Sequence, residues 1–183
     1  TNYSPKMTQA VTELWSEYNP HGYEWDLDTT KRAASLENGL WMATQINACI
    51  KKADKIHILE RTSSVATFRM EIDKISGKRI YYQIPSFLAV VMFSNHIGKY
   101  LLPTNVVSEK YSNSSIDGLI QPLNVHWIDA SASLSKDSLF VNIINRHPTD
   151  EIIINFDFDN KLLNKISKIY ELYSKNYLDF NSI

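Results

Sequence analysis

The chain has 183 residues, 44% of them hydrophobic and 21% charged, a composition that supports a packed core and excludes extended disorder. Nineteen Lys and Arg against twenty Asp and Glu leave a net charge of -1 with no basic block, which argues against a nucleic-acid surface. No run approaches the roughly 18 apolar residues of a membrane span, the opening TNYSPKMTQA lacks the layout of a signal peptide, and Cys49, the single cysteine, lacks a partner for a disulfide or zinc site and reads as a small core residue.

In chain order, MTQAVTE (Met7 to Glu13) is short, rich in β-formers and closes on polar residues, as expected of a buried strand whose C-terminal end borders a site. The following YNPHGYEWDLDTT is a loop with Pro20 and Gly22, and Asp28, Thr29 and Thr30 are candidate caps for the next helix. That helix is predicted from about Lys31 to Lys52, with Leu36, Leu40, Ala43, Asn47 and Ile50 on one stripe and two lysines complementing the dipole at its end. Gly39 lowers its propensity without breaking the pattern. DKIHILE (Asp54 to Glu60) is a second short apolar strand, followed by the polar segment RTSSVATFRMEIDKISGKR. PSFLAVVMFSNHIG (Pro85 to Gly98) then has proline in its first turn and glycine at its end, the asymmetry of a second helix. Two strand-helix units in succession predict parallel α/β structure.

Beyond LLPTN the pattern changes to short β-branched and aromatic runs, LNVHWIDASAS, SLFVNIIN, EIIINFDF and SKIYELYS, separated by SLSKD, RHPTD and DNKLLNK. Ile152, Ile154, Phe156 and Phe158 alternate with Ile153, Asn155 and Asp157, as in a strand with one face on a core. This half is expected to be an antiparallel β-sandwich, with the division near residues 98 to 104. Asn2 and Asn113 begin glycosylation acceptor patterns too short to carry weight. His96, His126 and His147 lack the mutual spacing of a metal site.

Taken in order, four of these stretches resemble the C-terminal half of the α-L-arabinofuranosidases of glycoside hydrolase family 51. VTELWSEYN looks like the strand that carries the family's nucleophilic glutamate, and LENGLWMATQINACIKKADKIHI is similar to the helix and last barrel strand after it. IDASASLSKDSLFVNIINRHPTDEIIINFDF resembles the opening of the family's C-terminal sandwich, and KIYELYSKNYLDFNSI a late sandwich strand and its turn. The resemblance implies an α/β plus all-β chain: residues 1–100 as the last βα units of a (β/α)8 TIM barrel, and 101–183 as a jelly-roll-like antiparallel β-sandwich. A full barrel needs roughly 200 residues or more, so the resemblance also implies an N-terminal chain or segment that completes the barrel, a possible oligomer, and a sandwich that is itself unfinished at Ile183.

The activity so implied is retaining hydrolysis of α-L-arabinofuranosides. Two carboxyl groups about 5 to 5.5 Å apart perform it, one attacking the anomeric carbon and the other acting as acid and then base. Glu13 closes its strand and is the preferred nucleophile; Glu17 in SEYN is the rival, placed after a Leu-Trp-Ser break. The family's acid/base is a glutamate preceded by asparagine, a pair this chain lacks, so that group is expected outside it. Trp15, Tyr18, Tyr23 and Trp25 offer aromatic faces to a sugar ring. Asn19 is a candidate donor to its hydroxyls, as is His21, and both serve equally well as loop-stabilising residues. At HILERTSSVATF the chain departs from the family's Ala-Gln-x-x-Asn setting; His57, Glu60 and Arg61 form either a charged cluster at the barrel mouth or a structural ion pair. No cofactor and no metal are expected, and the partner class is a carbohydrate substrate. Two readings compete: a non-catalytic carbohydrate-binding or assembly subunit, and a related barrel glycosidase acting on xylosides, glucosides or uronides.

Overall fold

The computed structural model describes residues 9–11, 34–59, 68–113, 123–158 and 166–181. Strand β1 (Gln9–Val11) lies parallel to β2 (Ile56–Leu59), with Ala10 opposite Ile58 and Val11 opposite Leu59, and helix α1 (Leu36–Ile50) belongs to the connection between them. This is a βαβ unit, as two parallel strands require a crossover of helix length. Helix α1 starts later than Lys31, because Ala34 and Ser35 are not helical and Ser35 has the extended backbone of an N-cap residue, φ -84° and ψ 169°. The candidate caps Asp28, Thr29 and Thr30 lie outside the described residues.

After β2 the expectation of a second plain strand-helix unit fails. Part of the segment read as polar linker is a β-hairpin, β3 (Phe68–Ile72) antiparallel to β4 (Arg79–Gln83), with Phe68 opposite Gln83 and Ile72 opposite Arg79. Its turn is held by Asp73, whose carboxylate accepts from the backbone N–H groups of Ile75 (3.1 Å) and Ser76 (3.2 Å), while Gly77 takes φ 67°, a conformation costly for other residues. Helix α2 (Pro85–Asn95) follows directly, with Pro85 in its first turn as predicted.

The remaining strands are antiparallel. Strand β5 (Tyr100–Leu102) pairs with β8 (Ile128–Leu134), which pairs on its other edge with β9 (Leu139–Asn145), so β8 is central. Separately, β6 (Lys110–Asn113) pairs with β7 (Leu123–His126). LNVHWIDASAS is therefore two strands. The break is at Trp127, whose N–H donates to Glu109 O (3.0 Å) and whose carbonyl accepts from Arg146 N–H (2.8 Å), passing the chain from one sheet to the other.

The core lies where α1 and α2 pack on the three-stranded sheet. Met42, Ala43 and Ile46 of α1 meet Ala89 and Phe93 of α2 and Ile144 of β9, with Leu40, Trp41, Ile50, Val90 and Leu172 partly buried around them. The buried stripe of α1 is therefore centred on Met42 and Ile46, and Leu40 and Ile50 sit at its edge. The helices cross so closely that a Cβ at Gly39 would stand 2.9 Å from Pro85 Cβ. Both faces of β8 are buried along much of its length: Asp129, Ser131 and Ser133 share one side, paired with Ile144, Asn142 and Phe140 of β9, and Ile128 and Ala130 are buried on the other.

EIIINFDF and SKIYELYS differ from their predicted strands. Residues 151–158 and 166–174 form no ladder with any described residue, and Ile154, Phe156 and Phe158 are exposed where a core-facing side was expected.

Candidate functional site

The parallel pairing of β1 and β2 puts their C-terminal ends, Val11 and Leu59, side by side. In α/β folds ligands bind at this edge, outside the carboxyl ends of parallel strands. Glu13 follows Val11 by two positions in the chain, and Glu60 follows Leu59 directly. Glu13, Trp15, Glu17, Tyr18, Asn19, Tyr23 and Trp25 all lie outside the described residues, as do His21, Glu60 and Arg61. His57 is within β2.

Because α1 runs back against the strands, its N-terminus belongs to the same end of the unit. The backbone there is closed by the C-terminal segment: Leu36 N–H donates to Asp179 O (2.8 Å) and Glu37 N–H to Tyr177 O (2.7 Å). Two of the orphan donors of a helix N-terminus are thus satisfied by chain carbonyls. Asn181 Nδ2 donates to Gln83 O (2.6 Å), just before α2. Leu178 N–H donates to Asn176 Oδ1 (3.0 Å) and Asp179 N–H to Asn176 O (2.9 Å), turning the segment to fit. Residues 176–181 therefore link the starts of both helices.

At the other end of α1, about 20 Å away, sits a polar cluster that the sequence reading did not assemble. Lys51 Nζ forms an ion pair with Asp129 Oδ1 across the helix-sheet boundary, the lysine side chain 37% and the carboxylate 12% exposed. Burial pushes the Asp129 carboxyl up, but the Lys51 hydrogen bond, the Asn47 amide and the charges of Lys51 and Arg146 outweigh it and hold the group below the ordinary carboxylate value. Two signals pointed here: Asn47, a polar residue on an apolar stripe, and the Asp-x-Ser-x-Ser alternation in β8. Its distance from the strands' C-terminal edge and its helix-to-sheet geometry make it a structural clamp.

The histidines serve separate local contacts. His96 Nδ1 lies 2.7 Å from Met92 O and its ring packs on Tyr170 at 4.1 Å; His126 Nδ1 lies 3.0 Å from Ser108 O. His147 Nδ1 accepts from the N–H of Asp150 (2.9 Å), shaping the turn after β9, and its ring meets the edge of Trp127, which stacks on Tyr111 at 4.2 Å. Among the described residues no three His, Cys, Asp or Glu side chains gather as metal ligands. Cys49 is half-buried, and burial pushes its thiol up, away from the reactive thiolate. No helix among the described residues is long and apolar enough to cross a membrane.

No protein-family model matches the chain, and no curated protein aligns with it significantly. Solved structures do. The thermostable GH51 α-L-arabinofuranosidase from Thermotoga petrophila RKU-1 superposes with a TM-score of 0.58 at 21% identity, and the α-L-arabinofuranosidase from Thermotoga maritima, solved with arabinose, with 0.54 at 22%. The fold is that of one part of these enzymes. Each match covers 78% of this chain but 29% of the enzyme, so the chain spans less than a third of their length. Likeness at this identity establishes the fold, mixed helix and antiparallel sheet with a parallel pair, and both structures are of α-L-arabinofuranosidases, the first of them of GH51.

Proposed function

We propose that this chain is part of a retaining glycoside hydrolase that cleaves α-L-arabinofuranosides by double displacement. Residues 1–100 belong to the end of a (β/α)8 barrel and 101–183 to a jelly-roll-like sandwich. The observation that supports this most strongly is the likeness over 78% of the chain to two α-L-arabinofuranosidases. The position of Glu13, two residues beyond the end of a parallel strand, agrees with it.

Glu13 is the proposed nucleophile, with Glu17 as its rival, and Trp15, Tyr18, Asn19, Tyr23 and Trp25 face the sugar. In the first step the Glu13 carboxylate attacks the anomeric carbon while the acid/base protonates the departing oxygen. In the second, water deprotonated by that same group displaces the glutamate, so configuration is retained. The acid/base is supplied by the chain or segment that completes the barrel.

Activity on a nitrophenyl arabinofuranoside, assayed in the complex of this chain with that segment, tests the reading. Glu13→Gln is expected to lower kcat by at least about a thousandfold. Glu13→Gly should regain turnover with azide, which fills the space of the lost carboxylate and gives a glycosyl azide of inverted configuration. Full activity in the Gln variant moves the role to Glu17 or removes it from this chain, and turnover by this chain alone contradicts the division of the two carboxylates.

A further inference from the structure

The β3–β4 hairpin sorts its side chains by face. Met70 stands directly across from Tyr81 and Ile72 from Arg79, so these four share one face, and all four are exposed, Tyr81 to 62%. The acids are engaged elsewhere. Glu71, paired with Ile80 on the opposite face, accepts from the Tyr82 hydroxyl, and Asp73 is turned into the hairpin's own turn by the N–H groups of Ile75 and Ser76. Lys74 and Lys78 at the tip and Arg79 behind them are exposed, and none has an acidic partner within ion-pair distance among the described residues. The base of the hairpin stands at the end of the βαβ unit where α1 begins: Gln83 O, at the end of β4, accepts from Asn181, and Asp179, two residues earlier, accepts from Leu36 N–H. Two residues of chain span at most about 7 Å. The hairpin also follows β2 in the chain, entered from that strand's C-terminal end.

An open tyrosine face beside an unpaired guanidinium is a pair suited to an acidic sugar. The ring packs on the apolar face of a sugar, while the planar fork of arginine takes a carboxylate through two parallel hydrogen bonds. Tyr81 and Arg79 are two positions apart on one strand, so their Cα atoms are about 7 Å apart. We propose that this face of the hairpin binds the acidic part of the substrate: the arabinofuranosyl group is carried on a glycan that contains uronic acid residues. Tyr81 lies under a sugar ring, Arg79 takes a uronate carboxylate, and Lys74 and Lys78 extend the positive charge to the tip. The inference rests on the glycosidase reading above and adds to it the class of glycan that bears the scissile group. A neutral glycan would leave Arg79 unmatched, an acidic peptide would use the charges without the tyrosine face, and three cations are too few for a nucleic-acid backbone in a chain of net charge -1.

Calorimetric titration of the chain with hexagalacturonate tests this, because binding requires neither the acid/base nor turnover. The expected result is binding that weakens as salt rises and is absent with neutral xylohexaose. Arg79→Gln should weaken it by at least about tenfold and Tyr81→Ala by about three- to tenfold, both at an unchanged urea midpoint because the two side chains are exposed. Arg79→Lys, which keeps the charge and loses the fork, should recover only part of the affinity. No binding, equal binding in Arg79→Gln, or equal affinity for xylohexaose or for hexaglutamate would overturn the proposal, the last by showing a surface that reads charge alone. Glu13→Gln separates this inference from the reading on which it rests. If that variant keeps full activity and the chain still binds hexagalacturonate, the nucleophile assignment falls and the hairpin site stands; if the variant is inactive and the unmodified chain does not bind hexagalacturonate, the hairpin site alone falls.

Discussion

Gly39 shows how one residue can mean opposite things in a sequence and in a packed structure. By propensity alone it weakens α1, and Gly39→Ala would stabilise an isolated helix by about 1 kcal/mol. Here a Cβ at that position stands 2.9 Å from Pro85 Cβ and 3.2 Å from its carbonyl carbon, the second a backbone atom that cannot rotate away. Separating the helices would disturb the contact of Met42 and Ile46 with Ala89 and Phe93. Gly39→Ala is therefore expected to destabilise by about 1–3 kcal/mol, read from the urea midpoint at unchanged slope. Asp129 supports a second prediction, in pH. Its carboxyl is held below the ordinary carboxylate value when folded, so the native state binds fewer protons than the unfolded chain as the pH falls. The stabilisation is complete above the unfolded value and is lost as pH drops through the lower folded one. Asp129→Asn should cost roughly 1 kcal/mol at pH 7, since half-exposed Lys51 can turn to water, and should flatten the fall in stability below about pH 4. Urea midpoints of both proteins from pH 7 to pH 3 check it, and parallel curves contradict it.

At the scale of elements, residues 176–181 act as a strap across the starts of α1 and α2. The carbonyls of Asp179 and Tyr177 accept from the backbone N–H groups of Leu36 and Glu37 at the start of α1. Removing residues 175–183 should expose the Leu36 and Glu37 amides, cost about 1–2 kcal/mol, and speed hydrogen exchange in the first turn of α1 more than in its last. Uniform exchange along the helix would show that the strap does not secure that end. No local pattern announces such a partner, because it lies some 140 positions away in the chain. Local signals did identify β2, the start of α2 and the parallel order of β1 and β2, where Pro85 and short apolar runs act within a few residues. They missed the β3–β4 hairpin because FRMEI and RIYYQ mix charge with apolar groups, and Met70, Ile72, Ile80 and Tyr81 remain exposed. Its turn was nonetheless written in Asp73, Ser76 and Gly77. The three-and-four stripe placed α1 correctly but centred its face a position or two away, since the crossing with α2 draws Met42 and Ile46 inward. As for the site, the strand β1 that precedes Glu13 in the chain was legible from its shortness and β-forming composition, while Glu13 itself lies outside the described residues. The Lys51–Asp129 clamp was not legible, since its two halves are 78 positions apart.

For the whole molecule, the distribution of exposed apolar groups carries the last prediction. In EIIINFDF the period of two survives as exposure: Ile153 is 91% exposed, while Ile154, Phe156 and Phe158 lie between 37% and 47%. The alternation belongs to a strand, yet these residues and 166–174 have no ladder among the described residues. Ile166, Ile169, Tyr170 and Tyr173 are exposed along the second segment. Contiguous apolar surface with unpaired backbone favours association, because burying it releases water and pairing it satisfies the amides. The chain alone is therefore expected to bind a hydrophobic dye and to elute above 21.1 kDa in light-scattering chromatography. Ile153→Lys with Ile169→Lys should reduce both signals without lowering the urea midpoint, because neither side chain is in the core. On the barrel architecture proposed above, adding the segment proposed to complete it should suppress dye binding in the unmodified chain and yield one stoichiometric complex. A dye-silent monomer of 21.1 kDa that unfolds cooperatively would contradict this, because it would mean that the exposed rows are compatible with a self-sufficient fold.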